Sequence, residues 1–264
     1  MISQKTIEYG LRKAGLKKGD TVLVHSSLRS LGPLEGVDPD DRNGFVSTVF
    51  AAFSRILGLP RQGTLVVPTF THEYARNNIP FMYEKSPSEV GLFTEYVRKQ
   101  KGAYRSMHPI NSFCAIGKKK HDICKDVSIS CYGYNSVFDR LYQLDAKMMF
   151  FGCGMYHMTL KHHLEQMVAL PYVYTKAYFT PVYKNNKPVK LPFLAVVRYL
   201  NGRVNNNDCR QFERHLKKKR MLTSVEISKT KILLMRIRDA YDQGYELLQK
   251  NPCYFLKKPY YTTK

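Results

Sequence analysis

The sequence predicts an α/β fold with a mainly parallel central sheet flanked by helices, and an added β-hairpin and helices in the carboxyl-terminal part. Strand patterns alternate with helix patterns up to about residue 170, which is typical of a parallel sheet. After Pro171, two β-rich stretches at 172–183 and 189–199 flank a turn at 184–188 and predict the hairpin. We expect one domain over residues 1–264, with a core at 1–170 and an elaboration at 171–264.

The elements follow from local patterns in chain order. Helices are expected at 7–14, 45–57, 91–99, 136–142, 209–216 and 227–248, with strands at 21–25, 65–70, 111–116 and 148–151. Gly58 and Pro60 end the second helix, and Ser136 caps the fourth. The apolar run at 148–151 is followed by Gly152-Cys153-Gly154 and then by a helix that starts at Thr159, which predicts a buried strand, a tight turn and a capped helix.

The first candidate site lies on this last helix. His162 and Glu165 are three residues apart, so they share one face and can meet. A carboxylate beside an imidazole orients the ring and raises its basicity, as a general base requires. The alternative is a surface pair without function. The spacing does not match the His-Glu-x-x-His zinc motif, and we predict no metal.

The second candidate site follows the strand that begins at Thr21. His25-Ser26-Ser27-Leu28-Arg29-Ser30 comes where that strand ends, and ligands of α/β proteins usually bind at such strand ends. The hydroxyl, imidazole and guanidinium groups could bind a phosphate or a pantetheine amide. The alternative is a serine-rich helix cap.

These stretches, taken with two others, resemble the aminoglycoside 3-N-acetyltransferase family. Within that family we expect the protein to belong to a branch of N-acyltransferases that modify sugars. The resemblance covers roughly residues 20 to 170. Its four blocks are His25-Ser26-Ser27-Leu28, then Pro68-Thr69, then Arg105-Ser106-Met107-His108-Pro109-Ile110-Asn111-Ser112-Phe113, and last Thr159 with His162 and Glu165.

The resemblance implies transfer of an acyl group from acyl-coenzyme A, the co-substrate, to the amine of an amino sugar. His162 would be the general base, Glu165 would hold its ring, and Thr159 would lie near the tetrahedral intermediate. The residues expected to bind the donor are His25, Ser26, Ser27, Leu28, Arg29, Ser30, Arg105, Ser106, Ser112 and Phe113. The residues expected to contact the acceptor are Thr71, His72, His108 and Lys161.

The net charge of the chain is evidence about the chemical class of the acceptor. Lys and Arg number 42 against 21 Asp and Glu, a formal charge of +21 with a pI near 9.7. Basic side chains suit the phosphates of coenzyme A and of nucleotide sugars and suit polycationic aminoglycosides poorly. We therefore expect a nucleotide-linked amino sugar as acceptor, with an aminoglycoside as the alternative. A general compositional bias towards lysine explains part of the charge.

Two functions of other classes stay open at this point. The basic balance is also typical of nucleic-acid-binding proteins, although no known nucleic-acid-binding motif accompanies it, and we expect no nucleic-acid partner. A His–Glu pair could equally activate water in a thioester hydrolase. We expect a cytoplasmic protein without membrane insertion, with six reduced cysteines, and able to form a homodimer.

Overall fold

The computed structural model describes residues 1–199, 204 and 208–259. Strands and helices alternate through most of this range. In chain order the strands are β1 (Thr21–Ser26), β2 (Thr64–Pro68), β3 (Phe81–Met82), β4 (Tyr104–Arg105), β5 (Phe113–Gly117), β6 (Lys147–Phe151), β7 (Val173–Tyr178), β8 (Val182–Lys184), β9 (Lys187–Pro188), β10 (Phe193–Arg198), β11 (Leu222–Ile227) and β12 (Thr230–Arg236).

Helices cover both faces of the central sheet. They are α1 (Gln4–Ala14), α2 (Arg42–Leu57), α3 (His72–Arg76), α4 (Leu92–Arg98), α5 (Lys120–Cys124), α6 (Val137–Gln143), α7 (Leu160–Val168), α8 (Arg210–Lys218) and α9 (Ile237–Lys250). Short 3₁₀ turns follow β1 at Leu28–Leu31 and β6 at Met155–His157. Within the described ranges, no helix has the length and apolar character needed to cross a membrane.

The central sheet contains seven described strands in the order β11-β12-β6-β1-β2-β5-β4. The predicted α/β class, with helices flanking a large sheet, is confirmed. Parallel pairing is confined to the central strands β6, β1 and β2, and the outer pairs are antiparallel. The sheet is therefore mixed, because an alternation of strands and helices does not fix the direction in which each outer strand runs.

The carboxyl-terminal part differs from the predicted helix at 227–248. Residues Thr230–Arg236 form β12, which makes a hairpin with β11 and pairs with β6, and α9 begins only at Ile237. The run Ile232-Leu233-Leu234-Met235 is apolar throughout, and such a run does not distinguish a buried strand from a helix. The prediction of helix at 230–236 was wrong for this reason, and β11 and β12 belong to the central sheet.

The predicted hairpin is present with an insertion. β7 and β10 pair antiparallel, with Val173 opposite Arg198, and we call this pair the β7–β10 ribbon. Between them, β8 and β9 form a tight turn in which Asn185 and Asn186 both have positive φ, as a type I′ turn requires. β8 also pairs with the short β3.

Side chains alternate between the two faces of the central sheet and form a separate apolar cluster on each. Leu23, Val66 and Phe150 pack on the face that carries α7 and α9, whereas Val22 and Leu65 pack towards α1 and α2. Helices α7 and α9 approach closely, since a Cβ at Gly244 would lie 2.6 Å from Leu164 Cδ1. The absence of a side chain at Gly244 therefore allows α7 to pack this closely against α9.

Three buried histidines should make the fold sensitive to acid. Burial lowers the pKa of His25 to about 3 and the pKa values of His108 and His163 to about 4, so they stay neutral in the native state while the unfolded chain protonates near 6.5. Stability should change little between about pH 7 and 8 and should fall as the pH drops from about 7 towards 4, by about 2 kcal/mol per histidine at pH 5. Denaturant unfolding at pH 7.5, 6 and 5 measures this.

The exposed His121 offers a matched control, because His121→Gln should leave this pH dependence unchanged. An unfolding free energy that is the same at pH 7.5 and pH 5 would contradict the prediction.

Candidate active site

Helix α7 brings the predicted base and its carboxylate together. His162 Nδ1 lies 2.8 Å from Glu165 Oε2, and the His162 side chain is 28% exposed whereas that of Glu165 is 0% exposed. Since the carboxylate accepts the Nδ1 proton, the lone pair of His162 is on Nε2, for which the described residues provide no hydrogen-bond partner. The ring of Tyr132 lies beside His162, with 5.7 Å between the ring centroids.

The buried carboxylate of Glu165 has further partners that the sequence did not reveal. Arg198, at the end of β10, donates from Nη2 to Oε1, and its Nε lies 3.4 Å from Oε2. The Tyr172 hydroxyl donates to Oε1 across 3.3 Å, and the guanidinium of Arg198 lies 5.6 Å from the centroid of the Tyr172 ring. The β7–β10 ribbon therefore supplies the positive charge that a buried carboxylate needs.

These contacts set the protonation states of the pair. Burial lowers the pKa of His162 below 6.5, and Glu165 offsets only part of that effect. Burial alone would raise the pKa of Glu165, but the charges and hydrogen bonds of His162 and Arg198 outweigh it and lower the pKa to about 2. Near neutral pH the site thus holds a neutral imidazole and an ionised carboxylate, which is the state that accepts a proton.

Thr159 stands at the N-cap position of α7 as predicted, but its hydroxyl does not cap the helix. Its Oγ1 lies 3.3 Å from Nε2 of the buried His25. This contact joins the end of β1 to the start of α7. The turn between β6 and α7 packs tightly against the loop after β1, because a Cβ at Gly152 (φ +70°) would meet the Ser27 carbonyl oxygen at 2.2 Å.

Two cavities meet at His162. The hairpin cavity, next to the β7–β10 ribbon, has a volume of about 260 Å³, and the strand-end cavity, at the carboxyl ends of β1 and β2, about 370 Å³. Together they have the size of a small-molecule site. Both are lined by Phe70, His72, Thr159 and His162; the hairpin cavity adds Arg76, Ile110, Asn111, Tyr132, Tyr178, Ala195, Val196 and Val197, and the strand-end cavity adds His25, Ser26, Pro68, Val90, Thr94, Cys153, Tyr156, His157, Met158 and Lys161.

Comparison with known proteins identifies the family. Residues 23–249 match the family model described as aminoglycoside 3-N-acetyltransferase. The chain belongs to this family. The match spans β11, β12 and most of α9, so the family resemblance extends well beyond the blocks found in the sequence.

The individual proteins that this chain resembles are also aminoglycoside acetyltransferases. Aminoglycoside N(3)-acetyltransferase IV of Salmonella sp is 27% identical over 255 residues, which cover 94% of this chain and 88% of that protein. The solved apoenzyme of aminoglycoside acetyltransferase AAC(3)-IVa is 26% identical, with a TM-score of 0.75 and coverage of 98% and 92%. AAC-IIIb, solved as a binary complex with CoASH, has the same fold, with 18% identity, a TM-score of 0.78 and coverage of 97% and 98%.

Other predicted residues of this family member also reach the cavities. His72 lines both cavities, and its Nε2 lies 3.3 Å from Asn111 Nδ2, which acts as the donor. Ser26 and Lys161 line the strand-end cavity. Lys161 is buried and its Nζ donates to the Tyr156 carbonyl across 3.4 Å; burial lowers its pKa.

The block that begins at Arg105 has a structural position instead of the predicted donor contacts. Arg105 is buried and donates to Ser112 Oγ at 2.9 Å, to the Ser86 carbonyl at 2.6 Å and to the Thr69 carbonyl at 2.8 Å. All its nitrogens are thus engaged, and no phosphate can reach them. Ser106, Ser112 and Phe113 are also fully buried and line neither cavity. These four predictions are corrected: the block holds the loops around β2 and β5.

Thr71 and His108 were predicted to contact the acceptor and are structural as well. Thr71 is buried and donates to the Pro109 carbonyl. His108 Nδ1 accepts the backbone N–H groups of Ile110 and Asn111, and its Nε2 lies 3.2 Å from the Leu194 carbonyl. Both ring nitrogens are therefore used to attach the loop before β5 to β10.

The remaining predicted donor residues lie in the loop after β1. Leu28 and the exposed Arg29 line a third, separate cavity with Pro33 and Phe45. Ser27 donates its backbone N–H to the Phe151 carbonyl at 2.9 Å, and Ser30 Oγ lies 3.3 Å from Thr230 Oγ1. None of these four residues lines the cavities that meet at His162.

We predict that changes at Glu165 and Arg198 shift the pH dependence of turnover in opposite directions. In the predicted role of general base, His162 is active in its neutral form, so the turnover number should rise with pH through the pKa of His162. Glu165 raises that pKa and Arg198 lowers it. The acidic limb of the kcat profile should therefore move to lower pH in Glu165→Gln and to higher pH in Arg198→Met. If the acidic limbs of both variants coincided with that of the native enzyme, the predicted influence of Glu165 and Arg198 on His162 would be contradicted.

Stability should also depend on the Arg198–Glu165 pair. Arg198→Met leaves a fully buried carboxylate without its cation, which costs about 3–5 kcal/mol of unfolding free energy. Arg236→Met is the matched control, because its partner Asp145 is 45% exposed and such pairs contribute little. Equal losses in the two variants, measured by denaturant unfolding, would contradict the prediction.

Proposed function

We propose that the protein transfers an acetyl group from acetyl-coenzyme A to an amine of an aminoglycoside, with His162 as the general base. The observation that carries this proposal is the position of His162, whose Nδ1 is held by Glu165 and whose side chain lines both cavities. The family name, and the CoASH bound to AAC-IIIb, support the reaction type and the donor.

The two cavities suggest one position for each substrate. The strand-end cavity lies where α/β proteins commonly bind ligands, and we place the thioester end of the donor there, beside Ser26 and Thr159. The acceptor amine would enter through the hairpin cavity. His162 would accept the amine proton as the nitrogen attacks the thioester carbon, and would pass it to the sulfur that leaves. His72, which lines both cavities, would contact the acceptor.

The comparisons favour an aminoglycoside over the nucleotide-linked amino sugar that net charge led us to expect. The relatives reported above are named for action on aminoglycosides, and nothing in the comparisons supports a nucleotide sugar. Net charge is a property of the whole surface and does not report the charge near a site. A negative charge lies next to this site in spite of the positive net charge. Glu89 Oε2 is 3.2 Å from the backbone nitrogen of Glu73, and the charge of Glu89 acts on His72.

Thiol release from acetyl-coenzyme A tests the proposal. We expect release that requires an aminoglycoside, gives the N-acetylated product by mass spectrometry, and falls by about a hundredfold or more in His162→Ala. The matched control is His121→Gln, at an exposed histidine that lines neither cavity, and it should retain native turnover.

The same assay, run without an acceptor and with other acceptors, distinguishes the alternative functions. Release without any acceptor would identify a thioester hydrolase, and release only with a nucleotide-linked amino sugar would overturn the aminoglycoside acceptor. Native turnover in a folded His162→Ala variant would overturn the base. A cytoplasmic location and a homodimer stay predictions, for which fractionation and sedimentation are the measurements.

A further inference from the structure

His25 is a polar residue that follows three buried apolar residues in β1, Val22, Leu23 and Val24. In β1 it lies opposite Phe150 of β6, and the two rings stack with centroids 5.4 Å apart and planes inclined by 16°. Its side chain is buried, and its backbone carbonyl lies 3.4 Å from the thiol of Cys153. The sheet therefore holds the imidazole in one orientation, and a buried polar ring needs a hydrogen-bond partner.

The partner that the structure provides is the hydroxyl of Thr159. Oγ1 lies 3.3 Å from His25 Nε2, and Thr159 lines both cavities three residues before His162. The hydroxyl could have capped α7, as a threonine side chain at the N-cap position often does, but it makes no such bond. It contacts the buried imidazole instead, on a residue that lines the space where we place the substrates.

The tautomer of His25 decides what this hydroxyl can do, since a threonine hydroxyl has one proton and two lone pairs. If Nε2 were the acceptor, it would take that proton, and no donor would face the cavity. If Nε2 carries the proton, it donates to Oγ1, and the hydroxyl proton is free to point at a ligand. The ring cannot serve as an acid or base near neutral pH, because burial lowers its pKa to about 3.

We propose that His25 is a positioning residue whose Nε2–H donates to Thr159 Oγ1 and so orients the Thr159 hydroxyl as a donor to the thioester oxygen. This inference rests on the proposed function. As the amine nitrogen bonds to the carbonyl carbon, the π electron pair moves to the oxygen, where Thr159 stabilises the charge. The pair then returns, the carbon–sulfur bond breaks, and the thiolate receives the proton that His162 took from the amine.

A double-mutant cycle tests the coupling between the two residues. Thr159→Val removes the hydroxyl with little change of shape and should lower kcat by about a hundredfold. His25→Phe keeps a ring against Phe150 but removes the donor, and should lower kcat by about tenfold with little change in the KM for acetyl-coenzyme A. In the Thr159→Val background, His25→Phe should cause no further loss, because the group that it orients is absent.

A merely structural role for His25 gives a different result. The His25→Phe loss would then be the same with and without Thr159→Val, and that outcome would overturn the inference. Cys153→Ala is the matched control, since Cys153 lines the same cavity and contacts the His25 carbonyl. Its effect, whatever its size, should combine multiplicatively with that of Thr159→Val. Should His25→Phe fail to fold, His25→Gln retains a donor amide and should keep more activity than His25→Leu.

The tautomer itself can be observed independently of catalysis. Imidazole ¹⁵N chemical shifts of the native protein, assigned with His25→Gln, should show Nε2 protonated and Nδ1 unprotonated from pH 5 to 8. Protonation at Nδ1 alone would overturn the inference whether or not the enzyme acetylates anything. If the native enzyme is inactive on every acceptor, the proposed function fails; if it is active and the cycle is additive, only the role of His25 fails.

Discussion

The buried carboxylate of Glu165 is the constraint on which the site depends. An ionised group with a fully buried side chain is tolerated only when positive charge and hydrogen bonds surround it. Glu165 obtains them from His162 on its own helix, from Tyr172 just before β7 and from Arg198 at the end of β10. The requirement to neutralise one carboxylate thus fixes the imidazole, holds the β7–β10 ribbon against α7 and closes one side of the hairpin cavity.

The rest of the fold places that arrangement where two cavities meet. The parallel strands β6, β1 and β2 end at a common edge, and the tight turn at Gly152 brings the start of α7 back onto it. One side of His162 therefore faces the strand ends, and the other faces the ribbon. In the proposed reaction this position suits group transfer, because donor and acceptor would reach His162 from different directions.

The sequence predicted the local part of this site. His162, Glu165 and Thr159 lie within one stretch of helix, so spacing alone brought them together, and the four blocks identified the family. Arg198 lies 33 residues from Glu165, and no local pattern links them. A motif also does not separate ligand contacts from framework: Arg105 has the charge expected of a phosphate ligand, yet three protein oxygens occupy its guanidinium. The strand β12 was missed because its apolar run has no period.

The separation between Glu165 and Arg198 has a consequence for assembly of the enzyme. A chain that leaves the ribosome residue by residue exposes α7 well before β10, and until Arg198 arrives the carboxylate must stay in water, which keeps that face of α7 undocked. The site should thus become structured only after the ribbon has been synthesised. Pulse-labelled hydrogen exchange on ribosome-bound chains of increasing length would report this order, with protection of α7 appearing only in chains that extend past Arg198.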